Sequence, residues 1–157
     1  MDPQTQAELD ARIAEMENAA RVPVMRECIQ HGQVTTWQHC VRVARAAVSL
    51  GKALHLHVSQ RELVRAALLH DYFLYDWHEP GHTKHATMHP VFALQNARED
   101  FELTPLEENA IAAHMSARQQ HVLLNARRFR TKGLGRMARR IDAMIQSQID
   151  SRNEENE

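Results

Sequence analysis

A chain of 157 residues with 19 basic and 20 acidic side chains carries a formal charge of −1, so no global field draws it to nucleic acid or an acidic membrane. At this length a fold buries roughly 70% of the surface its unfolded chain exposes, and neither disulfide nor structural metal is needed to hold it together. Cys28 and Cys40 are the two cysteines; without ligand spacing they read as reduced thiols of a cytoplasmic protein, and no apolar run approaches the roughly 18 residues of a membrane span.

Ala, Leu, Arg, Glu and Gln dominate while Gly and Pro number five each, and strict apolar–polar alternation is scarce, which together favour helix throughout. Leu9, Ile13, Met16 and Ala20 recur at helical spacing, predicting an N-terminal helix within 1–22 that Pro23 ends or interrupts. The polar, acidic start MDPQTQAELD is unlike a secretory leader. After a loop at Gly32, Thr35 or Thr36 is expected to cap a long helix reaching about Leu50. Ser59 and Glu62 form a capping box that opens a helix carrying Leu63, Ala66, Ala67 and Leu69 into His70. Residues 77–85, with Pro80, Gly81 and three histidines, read as a loop. Pro90 suits the first turn of the next helix, just after His89. Thr104 and Glu107 form a second capping box, whose helix presents Leu106, Ala110 and Ala113 and ends at His114. A last helix is expected over about 135–149, followed by a disordered tail, 150–157. No repeat or linker divides the chain, so it reads as one all-α domain, 1–157, with its core over about 35–149.

Histidine is unusually frequent, at 11 residues, and position decides what that means, because each alone is commonly an ordinary core or surface residue. His70 and Asp71 are neighbours whose side chains can reach one ion from two sides. His39 shares a helix face with Val43, Ala46 and Leu50, and an unpaired imidazole buried there costs on the order of 1–3 kcal/mol. His89 stands at a helix start and His114 at the end of an apolar stripe. Four helices or helix ends thus each bring a histidine inward. Imidazoles with a carboxylate suit Zn, Mn, Fe, Ni or Co, whereas carboxylates and waters alone would suggest Mg or Ca.

The order His39, His70-Asp71, His89, His114 and a later Asp142 resembles that of the HD superfamily. The surrounding text is similar too: Thr36-Trp-Gln-His39-Cys40-Val-Arg-Val-Ala44, then Ala66-Ala-Leu-Leu-His70-Asp71-Tyr-Phe-Leu-Tyr-Asp-Trp77, His85-Ala-Thr-Met-His89-Pro90 and Ile111-Ala-Ala-His114-Met115. The likeness covers about residues 35–116 and looks like a bacterial group with an LLHDYFLYDW-type segment. It implies a helical bundle in which His39, His70, Asp71 and a late aspartate hold a divalent metal. His89 and His114 would complete a second metal position or bind substrate phosphate. Such domains are mostly phosphohydrolases acting on nucleotides or other small phosphate esters through metal-activated water. Asp71 is then either a ligand or the base that takes the water's proton. A minority of the superfamily oxidises substrates with O₂ at a di-iron centre, and the histidine set is compatible with that alternative.

Asp142 is the sole acid between Asn109 and Gln148, and it shares a helical face with Ala138, Ile145 and Ile149. The stretch from Ser116 to Met137, however, departs from the apolar, proline-rich text of related sequences. Arg118, Arg127, Arg128, Arg130, Lys132, Arg136, Arg139 and Arg140 fall here with no intervening acid. They form either a solvated surface balanced by acidic ends or a rim that attracts phosphate or nucleic acid. A catalytically silent binding module using that 118–140 surface is the third reading. His78, His82, His85 and Lys84 lie in the loop beside the expected metal, Tyr72, Tyr75 and Trp77 pack or line it, and Asp76 and Glu79 are candidate partners for ligand histidines. No P-loop, dinucleotide, serine-hydrolase or zincin string is present.

Overall fold

The computed structural model describes residues 1–115. The expected helix at 135–149, Asp142, the basic stretch 118–140 and the tail 150–157 lie outside the described residues. The described elements are α1 (Pro3–Glu17), a 3-10 helix (Val22–Arg26), a hairpin of β1 (Ile29–His31) and β2 (Val34–Thr35), then α2 (Thr36–Ala53), α3 (Gln60–Leu69), α4 (His85–Asp100) and α5 (Pro105–Ala113). The architecture is all-α, and the hairpin is an element the composition did not suggest. No described helix is long and apolar enough to cross a membrane.

Local chemistry explains most of the boundaries. Thr35 caps α2 through a full capping box with Gln38, and Thr104 caps α5 through one with Glu107, with Pro105 in the first turn. Both satisfy backbone N–H groups that the helix itself leaves unpaired. Three expectations are corrected. The N-terminal helix stops at Glu17 rather than continuing to 22, because Ala20 turns into the left-handed region (φ 44°) and Pro23 serves the start of a separate 3-10 helix. Ser59 caps α3 by position but makes no side-chain cap bond. The helix carrying His89 begins at His85, so Pro90 lies inside it. Proline removes the donor that would have met the Ala86 carbonyl, and Ala86 is exposed, so water can solvate that group.

The core is built where α2 packs on α3. Val43, Ala44, Ala47 and Val48 interdigitate with Leu63, Val64, Ala67 and Leu68, and α1 adds Leu9, Ile13 and Met16 from one side. Gly51 permits the close approach, since a Cβ there would meet Leu63 Cδ2 at 3.1 Å. In the hairpin, Gly32 turns the chain at φ +56°, a backbone that glycine adopts without steric cost. α4 and α5 offer small inward residues, Ala93, Ala97 and Ala110, beside Ile111, so these helices lie close to the bundle. That geometry brings histidines on different helices within reach of one another.

Candidate metal centre

His70 caps α3 with helical backbone angles (φ −61°, ψ −32°), and Asp71 follows in a turn rather than on the helix. Asn96 of α4 holds that turn by donating from Nδ2 to the carbonyls of Tyr72 and Phe73, both at 3.1 Å. His39 projects from α2, His89 from α4, and His114 stands at the end of α5. All five side chains are buried, and they converge.

The carboxylate of Asp71 is divided between two histidine pairs. Its Oδ2 lies 3.2 Å from His70 Nε2 and 3.6 Å from His39 Nε2. Its Oδ1 lies 3.3 Å from Nε2 of both His89 and His114. Two donor triplets result, His39–His70–Asp71 and Asp71–His89–His114, sharing the aspartate.

Hydrogen bonding sets which nitrogen each ring presents. Nδ1 of His70 donates to the Ala67 carbonyl (2.8 Å), that of His89 to the His85 carbonyl (2.9 Å), and that of His114 to the Ile111 carbonyl (2.7 Å). A carbonyl can only accept, so Nδ1 carries the hydrogen in all three rings and a neutral ring turns its Nε2 lone pair toward Asp71. Metal-binding histidines are typically held by such bonds from the other nitrogen. Here the backbone of each histidine's own helical turn supplies them.

A cation fits this arrangement. Nε2 of His89 and Nε2 of His114 are 2.9 Å apart, and two neutral rings with both Nδ1 protonated would set lone pair against lone pair. A proton or a metal must relieve that contact. Two ligand atoms each about 2.1 Å from one ion and at right angles lie about 3 Å apart, close to the observed spacing. Asp71 Oδ1 is buried with no well-directed hydrogen bond, the state of an atom whose natural partner is a cation.

Electrostatics agrees. Burial by itself would raise the Asp71 pKa, but the imidazoles of His70 and His114 hold it well below the usual carboxylate range. Burial would lower His70, yet the Asp71 charge holds it well above an ordinary imidazole. The pair is therefore an aspartate with a protonated histidine when no metal is bound. Burial and the neighbouring His89 lower His85 to about 4, so His85 is neutral near pH 7.

The centre opens into a cavity of about 740 Å³, whose walls include His31, Trp77, Glu79, His82 and His85. His82 and His85 thus belong to the site, stacked on Tyr75 and Trp77 with ring centroids 4.2 and 5.1 Å apart. His78 instead pairs with Asp76 at 2.8 Å, so Asp76 is no partner of a ligand histidine. Tyr72 is a core residue whose hydroxyl donates to Asp100 (2.7 Å).

Two participants carried no usable sequence signal. Gln30 of β1 donates from Nε2 to Asp71 Oδ2 at 2.9 Å, and a two-strand hairpin this short leaves no periodicity to read. Asn96 sits on an ordinary helical face, and only the turn packed against it reveals its role.

A family model described as HD domain matches residues 36–153 of this chain. No curated protein and no solved structure matches it.

Proposed function

The chain belongs to the HD domain family, and on that premise we propose that it is a metal-dependent phosphohydrolase acting on a nucleotide or another small phosphate ester. The observation that carries this reading is the division of one buried carboxylate between two histidine pairs. His39, His70 and Asp71, with Asp142 from beyond the described residues, hold one divalent ion, and Asp71, His89 and His114 hold the second. Mn, Fe, Ni, Co and Zn all suit such ligands. A cation bound there lowers the pKa of a water to about 7 and neutralises charge on phosphoryl oxygens.

The remaining steps belong to the protein. Asp71 faces a histidine pair with each oxygen and so serves as a ligand, which leaves proton transfer to another group. Within the described residues the centre has one carboxylate among four imidazoles, so two divalent ions leave it positive even with Asp142 added. A phosphate dianion complements that excess. The cavity beside it accommodates the organic part of the ester, with His85 and Trp77 along its wall.

The test combines metal analysis of untreated protein with hydrolysis of p-nitrophenyl phosphate. Colourless protein with more than about half a metal per chain and Mn- or Ni-stimulated hydrolysis is the expected result. An iron-loaded, coloured protein that consumes O₂ would instead establish the di-iron oxygenase. Metal-free protein that binds nucleic acid with strong salt dependence would point to a silent module using the 118–140 surface.

One prediction follows from the protonated His70. Ligand imidazoles must lose their protons to bind a cation, so binding should release protons and weaken as pH falls from about 8 to about 6. Calorimetric titration in two buffers of different ionisation heat reads the release directly. Equal apparent heats in both buffers would contradict it.

A further inference from the structure

We propose that Gln30 is the positioning residue that sets the rotation of the Asp71 carboxylate, so that each oxygen faces a different histidine pair. The inference rests on the reading of Asp71 as a ligand shared by two ions.

Gln30 is 6% exposed and its amide is held at both ends. Oε1 accepts from the Thr36 hydroxyl at 3.4 Å, and Nε2 donates to Asp71 Oδ2 at 2.9 Å. The opposite amide orientation would place Oε1 against a carboxylate oxygen, two acceptors with no hydrogen between them. Its own carbonyl accepts from the Trp77 indole at 3.3 Å, which ties β1 to the cavity wall. Thr36 has one hydroxyl hydrogen, which it shares between Gln30 Oε1 and the Cys28 carbonyl at 3.2 Å.

The donor's chemistry matters as much as its place. A terminal carboxylate torsion is soft, so Asp71 alone would swing between the two pairs. A neutral amide removes that freedom and adds no charge that would compete with a cation. A lysine in its place would repel the metal, and an acid would repel Asp71. The bond also falls on Oδ2, which faces His39 and His70, and leaves Oδ1 toward His89 and His114.

The test measures Mn(II) affinity of the full chain by the loss of the free Mn(II) electron paramagnetic resonance signal, beside the melting temperature of metal-free protein. Gln30→Met keeps the length and removes the donor. It should weaken binding by about tenfold or more, the scale of lost outer-sphere partners, with the metal-free melting temperature little changed. Affinity within about twofold of the parent would overturn the proposal. If Gln30→Met does not fold, Thr36→Val and Thr36→Ser decide. Valine frees the amide to rotate and should cost roughly threefold, while serine should restore the parent value; equal affinities would overturn the proposal. The Cys28 carbonyl stays satisfied in both, because it also accepts from the Thr36 backbone N–H. A parent that binds no Mn(II) overturns this inference together with the proposed function. A parent that binds Mn(II) yet hydrolyses no phosphate ester overturns only the latter.

Discussion

Asp71→Asn is expected to abolish metal binding and hydrolysis and to lower the stability of the metal-free protein. Asparagine has nearly the same shape but lacks the charge, and one of its two terminal atoms is a donor. Whichever way the amide turns, one histidine pair faces N–H hydrogens instead of a lone pair. Outer-sphere changes cost about 10–100-fold in affinity, and loss of a shared ligand should exceed that range at both positions. Stability of the metal-free protein should fall as well. The lowered Asp71 pKa and raised His70 pKa mean that the charges of the pair favour the folded state, and removing one partner leaves the other buried without its counter-charge. With the parent, Mn(II) at 100 times its dissociation constant adds about 2.7 kcal/mol, or roughly 5–10 °C in melting temperature at this chain length. The mutant should show no such shift. A metal-induced shift of parental size in Asp71→Asn would remove Asp71 from the ligand set.

Glu107→Ala should cost the protein substantial stability although it lies outside the centre. Glu107 is 1% exposed; its Oε1 accepts from Arg65 Nε at 2.7 Å, and its Oε2 accepts from the Thr104 N–H at 2.9 Å. Truncation leaves that N–H without its cap and strands a guanidinium whose side chain is 15% exposed. Removing one partner of a buried pair costs about 3–5 kcal/mol. The lower end applies, because Arg65 keeps some water and its bond to the Glu102 carbonyl (2.8 Å). A fall of roughly 6–12 °C in melting temperature follows. Glu107→Gln should lose less, since it retains an acceptor for Thr104. Adding Arg65→Met to Glu107→Ala should recover part of the loss, since it removes the stranded charge. Chemical denaturation of the four proteins measures each term, and a Glu107→Ala loss under about 1 kcal/mol would refute the buried-pair account. The change also bears on the centre, because α5 starts at this cap and delivers His114 at its other end.

The helical class was legible because it depends on local preference. The capping boxes at Thr35 and Thr104 are signals of a few adjacent residues, and the structure keeps them. The histidine order was legible because each of these histidines lies on a helix or closes one. Where local rules misled, competing contacts are identifiable. Pro90 was read as a helix start, yet His85, stacked between Trp77 and His89 (centroids 5.1 and 4.7 Å), begins that helix a turn earlier. Ser59 had the right neighbour for a capping box and formed no side-chain bond.

What the chain determines by itself is a set of helices, four of which bring an imidazole inward along their length or at their end, because periodicity and capping act over a few residues. Tertiary structure decides how the Asp71 carboxylate is turned and that a glutamine from a short hairpin reaches it. Those features depend on distances between groups far apart in sequence, such as Gln30 and Asp71, 41 residues apart. No local preference encodes such a distance; it exists only once α2, α3, α4 and α5 have packed.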